Sequence, residues 1–513
     1  MKLTRYRYYL LILILLLFLF FTLKKIVSES ILLSNQNSLK GNLANIFLST
    51  YENKLHGKSL NKLFYFNPQI ISPKRADIIL NFSNNDIIYN DSIINIIKST
   101  NKIVVTDELK KWRKSNIIYK NQNFNIQYKF HASSIDQYVN GSQSYSIKSK
   151  NPIINNKEFK LISNIDANYK NIFLNHVASI YDLIHEDIGE IIVLKDHKKV
   201  MDYYKYEKFD PKFVKKKFGL DNVRIIRNLT FYEGYSSHLW HRSELDDVPY
   251  NLDFDEIDYK SYSIWEKLLD HNFDDININK EYIGRYFAVL YLFGHPHHIT
   301  GNNDKWVFSD QGIFPVFRNE GNIVFLSKQR EDFNNSIFKN FYKSKTLEKY
   351  KRMLIKQDII NNRNLYFQKI VNDRDLILKK FDSIFHSNED IHKRFNDNYF
   401  FIKNNHNYLK EVINDNINNI QSYLNSGYTT IMYKNDSIFI KTTRNNKLKI
   451  ELDKKNYFFN PKNYLINEDR IIHSLDEIVI PNKNRTDNLL IFDTVTNDTI
   501  TNEKNKYHII NIN

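Results

Sequence analysis

Apolar positions recur along this chain in two periods. Between residues 283 and 291, Ile283, Tyr286, Phe287, Leu290 and Tyr291 fall at helical spacing. Ala288 and Val289 fill most of the remaining surface, so the pattern predicts an internal helix. Gly294 and Pro296 predict where it stops. The loop beyond presents His295, His297, His298, Asn302, Asn303 and Asp304 ahead of the aromatic strand Trp306-Val307-Phe308. Proton-accepting and metal-binding groups placed behind a core helix and against a core strand make this loop the first candidate site.

Elsewhere the alternation shifts between the two periods. Ile78-Ile79-Leu80 and Ile103-Val104-Val105 read as buried strands around a helix at Ile93–Ile97, which predicts a small α/β stem over residues 31–115. Phe124–Phe130 and Tyr145–Lys148 alternate as strands, residues 168–188 are helical, and Ile191–Leu194 reads as a buried strand. A core over 116–330 follows from these segments, then a charged helical extension over 331–420. Short alternating strands predict a β-rich module over 421–513. At the N-terminus, Lys2, Arg5 and Arg7 precede the apolar run Tyr8–Leu23, and Lys24-Lys25 follows it. That pattern predicts a single uncleaved membrane helix within residues 1–30, with the rest of the chain extracytoplasmic.

Composition narrows the partners. The 513 residues carry a net charge of +15, spread along the chain, which favours acidic partners such as phospholipid headgroups, nucleotides or anionic glycans. Nucleic-acid motifs are absent from the sequence, and no nucleic-acid partner is expected. With no cysteine, disulfides, thiolate metal sites and cysteine nucleophiles are excluded. Gly57-Lys58-Ser59 has Glu52 where a phosphate-binding loop needs glycine, and there is no G-x-G-x-x-G. His185–Glu190 reads as a solvated helix end, His238 and His241 as an aromatic packing patch, and Glu244–Asp258 as a solvated acidic loop.

Three segments, taken in order, resemble the CotH-type atypical protein kinases. The first runs from Phe130-His131-Ala132-Ser133-Ser134 through Ser142–Lys148 to Lys157–Ile162. Next comes Tyr203–Gly219, where an aromatic strand ends in Glu207 and a helix begins. The third is the helix and His-rich loop described above, and the resemblance spans about residues 120–330. It implies an atypical kinase-like core, so that with the N-terminal membrane helix, the α/β stem and the β-rich C-terminal module read from the patterning the expected fold class is α+β. It also implies ATP and Mg²⁺ as cofactors and phosphate transfer to a hydroxyl of a protein or envelope glycan. By the same resemblance, His298 or His297 takes the proton acceptor's place, and Asp304 or Asn303 the first metal position. Lys148 or Lys129 falls near the phosphates and Glu207 near the adenine side.

Departures from the family pattern are specific. Ser142-Gln143 stands where paired lysines are expected, and the His131–Ser134 turn lacks a glycine. After Phe314-Pro315-Val316-Phe317 the chain reads Arg318-Asn319-Glu320 in place of the second metal-binding aspartate, leaving Asn319 or Glu320 as substitutes. These departures open an alternative: a catalytically lapsed scaffold that binds an envelope polymer or a secretion partner. A metal-dependent hydrolase built on His295, His297 and His298 is a third alternative.

Overall fold

The computed structural model describes residues 2–34, 76–99, 110–131, 143–163, 169–195, 200–229, 248–251, 259–294, 304–318, 330–338, 345–395, 399–467, 470–482, 488–500 and 507–512, with a few isolated positions between. The chain divides into two compact units, one of Met1–Arg75 and Asp382–Val412, the other of Ala76–Phe381 and Ile413–Asn513.

In the first unit, α1 (Lys2–Ser34) contains the apolar run expected to anchor the chain. That expectation is corrected: no described helix is long and apolar enough to cross a membrane. The physical reason is length, since Tyr8–Leu23 spans only ~24 Å as a helix against ~30 Å of hydrocarbon, and charges flank it on both sides.

The second unit begins with a closed barrel. β1 (Ile78–Asn81), α2 (Asn84–Ser99), β2 (Arg113–Tyr119), β3 (Gln122–Phe130), β4 (Tyr145–Ile153) and β5 (Asn156–Ser163) come first, followed by α3 (Tyr169–Ile180), β6 (Ile188–Lys195) and β7 (Val200–Glu207). The strand order is β1-β2-β3-β4-β5-β7-β6, closed by parallel pairing of Ile78 with Leu194 and Ile79 with Lys195. This seven-stranded barrel and the further sheets below correct the expected fold class of a kinase-like core with a membrane helix and a separate stem. β1 is part of the barrel wall, Ile93 and Ile97 of α2 join its core, and the expected boundary at residue 115 falls inside β2. Ile103–Val105 lies outside the described residues. Alternation reports which side chains are buried, and it says nothing of which strands pair.

Beyond the barrel, α4 (Pro211–Phe218) is capped by Asp210, whose side chain accepts from the Phe213 N–H at 2.9 Å, and it ends at Gly219. β8 (Arg224–Leu229), β9 (Val248–Asn251), α5 (Tyr259–Leu269), α6 (Lys280–Phe293), β10 (Lys305–Ser309) and β11 (Gly312–Pro315) follow. The four strands form a second sheet in the order β11-β10-β8-β9. α6 is the helix expected around residues 283–291, and it is buried on nearly every side. Its end is set by Gly294 in the left-handed conformation, φ 67°, with its N–H donating to Leu290 and Tyr291. A Cβ there would stand 2.2 Å from the Val324 carbonyl oxygen. Gly294→Ala is therefore expected to cost about 1–3 kcal/mol from backbone strain alone and more from the clash, read as a lower urea midpoint.

Five helices come next: α7 (Lys345–Leu354), α8 (Gln357–Asn372), α9 (Arg374–Ser387), α10 (Glu389–Phe395) and α11 (Tyr399–Asn425). α8 packs closely on α6 because Gly284 has no side chain; a Cβ there would lie 2.6 Å from Asn362 Cβ. Arg363 of α8 is fully buried, donating to Asn334, Asn364 and Tyr423 among the rings of Tyr291, Phe367 and Tyr423. The C-terminal strands are β12 (Thr429–Lys434), β13 (Ser437–Thr442), β14 (Leu448–Leu452), β15 (Lys455–Phe459), β16 (Lys462–Asn467), β17 (Arg470–Leu475), β18 (Glu477–Pro481), β19 (Leu489–Asp493) and β20 (Tyr507–Ile512). They form sheets ordered β18-β13-β12-β20, β15-β14-β19 and β16-β17, around a core that includes Ile431, Ile440, Leu448, Ile450 and Ile491.

Candidate anion-binding site

Strand alternation divides the barrel wall into two faces. Ile126, Tyr128 and Phe130 of β3, Tyr145 and Ile147 of β4 and Phe159 and Leu161 of β5 fill the core. The intervening residues face outward, and the register aligns them in rows. Lys129 pairs with Ser146, Ser146 with Lys160 and Lys160 with Tyr206. In the next row Gln127 pairs with Lys148 and Lys148 with Glu158. Part of this outer face is apolar, where Ile162, Tyr204, Tyr206, Ile188 and Ile191 pack with Ile172 of α3. The rest is basic. Lys148 lies 3.4 Å from Glu158, which Lys208 also reaches at 2.9 Å.

A buried ionic cluster borders this face at Lys160. α3 stops at Ile180, and the segment after it is buried through Leu183, Ile184, His185 and Glu186. That segment runs beside the chain leaving β11: Phe317 N–H donates to the Ile184 carbonyl at 2.7 Å. Tyr282 of α6 clamps both, accepting from Ile184 N–H and donating to the Pro315 carbonyl, each at 2.9 Å. Glu186 is thereby aimed at Lys305, the first residue of β10, and the two form a buried ion pair. Lys305 also stands 5.2 Å from the ring centroid of Phe209, just past the end of β7.

The charges in this cluster are strongly coupled. Burial by itself raises the Glu186 carboxyl, but Lys305, Arg318 and Lys160 outweigh it and hold the group well below its ordinary range. Burial pulls the Lys305 ammonium down to about 8; Glu186 opposes this, while Arg318 and Lys160 add to it. His131, at the end of β3, accepts from or donates to Ser146 Oγ through Nδ1 at 3.1 Å. Burial, then Lys160, Lys110 and Lys129, push its imidazole well below the usual value and keep it neutral at pH 7, against the pull of Glu186. One buried carboxylate is thus paired with Lys305 and feels the charges of Arg318 and Lys160, in surroundings where an anion's oxygens would be attracted more strongly than in water.

The residues singled out from sequence are placed as follows. Lys129 and Lys148 come together, with their Nζ atoms 5.2 and 4.6 Å from the ring centroid of Trp112. Glu207 ends β7 opposite Phe159, and its N–H donates to the Asp187 carbonyl at 3.2 Å. Asp304 is fully buried. Its Oδ1 accepts from Trp306 Nε1 at 2.7 Å and from Tyr350 OH at 2.5 Å, and its Oδ2 from Lys349 Nζ, which lies over Trp265. A carboxylate so engaged does not fit the Mg²⁺ position that the resemblance assigns to it. Asp304 and Lys305 are neighbours in extended chain, so one side chain serves the helix side and the other the barrel side. His295, His297, His298, Asn302, Asn303, Asn319 and Glu320 lie outside the described residues, as do His238, His241 and Ser142. Among the described residues, no group of three or more His, Asp or Glu is arranged to hold a metal ion.

Sequence reasoning missed Glu186, Lys160, Lys305 and His131. The expected solvated helix end at His185–Glu190 is corrected, since the helix ends earlier and both His185 and Glu186 are buried. The available signal was Glu186 lying between Leu183-Ile184 and Ile188, an apolar setting for a charge. None of the family models and none of the curated proteins compared with the chain matches it.

Proposed function

We propose that the protein binds a phosphate-bearing small molecule, with a nucleotide as the first candidate, at the cluster of Lys160, Lys305 and Arg318. The observation that carries this reading is the buried Glu186–Lys305 ion pair at the edge of a basic sheet face, with the charges of Arg318 and Lys160 also acting on Glu186. Glu186 offsets the mutual repulsion of the cations and fixes Lys305 before a ligand arrives. Ammonium and guanidinium groups together can take up the several oxygens of a phosphate, and the guanidinium fork gives direction as well as charge. Phosphate transfer, as the resemblance implies, would draw on Asp304, whose oxygens are engaged by Trp306, Tyr350 and Lys349. That engagement supports binding over transfer.

Calorimetric titration with ATP, ADP and inorganic phosphate, each with EDTA and with Mg²⁺, tests the proposal. Binding of the polyphosphates is expected to persist in EDTA. Arg318→Met, at a half-buried position, is expected to weaken it tenfold or more. Because Lys305 loses its proton near pH 8, affinity should fall above that pH with a slope approaching one decade per unit. Absence of binding by all three ligands, or full affinity in Arg318→Met, would refute the assignment.

A further inference from the structure

A second basic region lies farther along the outer face, on β2, β3 and the outer part of β4, away from the buried cluster. Lys114 and Asn116 of β2 pair with Gln127 and Asn125 of β3, and Gln127 pairs in turn with Lys148 of β4. Lys150 follows two residues on and also lines the groove. An open groove of about 900 Å³ is lined by Lys114, Asn116, Asn125, Gln127, Lys148 and Lys150. Asp86, also on its wall, is engaged by Arg113 at 2.8 Å and by Ser83 at 2.7 Å. At the next row stands Trp112, 37% exposed, with the ammonium groups of Lys129 and Lys148 around its ring.

We infer that this groove is a binding surface for an acidic oligosaccharide, a glycan bearing a carboxylate on each sugar ring or on alternate rings. The inference goes beyond the phosphate site and does not depend on it. Its first support is spacing. Lysines on β2 and β4 sit two strand separations apart, ~10 Å, and those at alternate positions of β4 about 7 Å apart. Carboxylates of an acidic sugar chain recur on a similar scale. Chemistry is the second support. Asn116, Asn125 and Gln127 each offer a donor and an acceptor, matching neighbouring sugar hydroxyls. Single-stranded nucleic acid would instead call for successive aromatic platforms under its bases, and the groove supplies amides in those places.

The test uses the full chain with hexameric oligogalacturonate, maltohexaose as the neutral counterpart, and twelve-residue oligo(dT). Lys114→Gln/Lys150→Gln is the variant, since both side chains are exposed and its melting temperature should match the parent. Binding of the acidic hexamer, none of maltohexaose, and at least a tenfold loss in the double variant are expected. Affinity for the phosphate ligands should be unchanged in that variant, which separates this site from the first. Equal binding of acidic and neutral hexamers, full affinity in the double variant, or tighter binding of oligo(dT) would overturn the inference.

Discussion

Asp304→Ala is expected to lower the unfolding free energy by about 3–5 kcal/mol, the usual consequence of stranding one member of a buried ion pair. Asp304 and Lys349 are both fully buried, and Tyr350 and Trp306 donate to the same carboxylate. Without it the Lys349 ammonium remains beside Trp265 and Tyr350 with only ring faces to offset its charge. The cost is specific to breaking the pair. Replacing both members by apolar side chains, as in Asp304→Leu/Lys349→Met, removes the stranded charge and should recover a large part of the loss. Urea unfolding of the three variants distinguishes the cases. A change below about 1 kcal/mol in Asp304→Ala, or a double variant worse than the sum of the singles, would show that the network does not hold this region together.

Acidification is expected to open the helices of residues 382–412 before the second unit loses structure. His392 and His406 are buried there, with Phe385 stacked on the His406 ring at 4.1 Å and on His392 at 6.0 Å. Burial pushes both imidazoles down to about 4, outweighing Glu389 beside His392 and the Asp382 hydrogen bond to His406. In the unfolded chain each titrates near 6.5. The sign follows directly. Above about pH 6.5 both rings are neutral in either state and their contribution is whole. As pH falls from there toward about 4, the unfolded chain takes up protons that the folded one refuses, and stability is lost, up to roughly 3 kcal/mol per ring. Hydrogen exchange of peptides from 382–412, followed from pH 7.5 to 4.5, should show protection falling through that window. His392→Phe/His406→Gln should flatten the profile. An unaltered profile in that variant would place the acid response on carboxylates such as Asp382 instead.

Local features of the fold were legible where one segment decides its own conformation. α6 follows from the spacing of Ile283, Tyr286, Phe287 and Leu290, and its end from Gly294. The alternation in Phe124–Phe130 marks β3. Closure of the barrel was not legible, because Ile78 and Leu194 meet across more than a hundred residues with no local signature of the pairing. For the same reason a stem and a core were expected in place of one continuous wall. The candidate site was hidden in a different way. Lysine is abundant throughout this sequence, so Lys160 and Lys305 carried no distinguishing mark until register and burial brought them to Glu186. Lys129 and Lys148 were singled out and do lie together; what joins them is Trp112, which no motif had marked.

The short pairing of Ile78 and Ile79 with Leu194 and Lys195 has a consequence for how this molecule is made and kept soluble. During synthesis the first strand emerges well before its parallel neighbour, so its outer rim waits unpaired until more than a hundred further residues have appeared. Such distant pairing is slow to nucleate, and exposed strand rims in the interval invite association with other chains. Once the seam shuts, the barrel wall leaves no rim for another chain to join. Four residues of β1 thus guard the nascent chain's solubility as well as the shape of the wall.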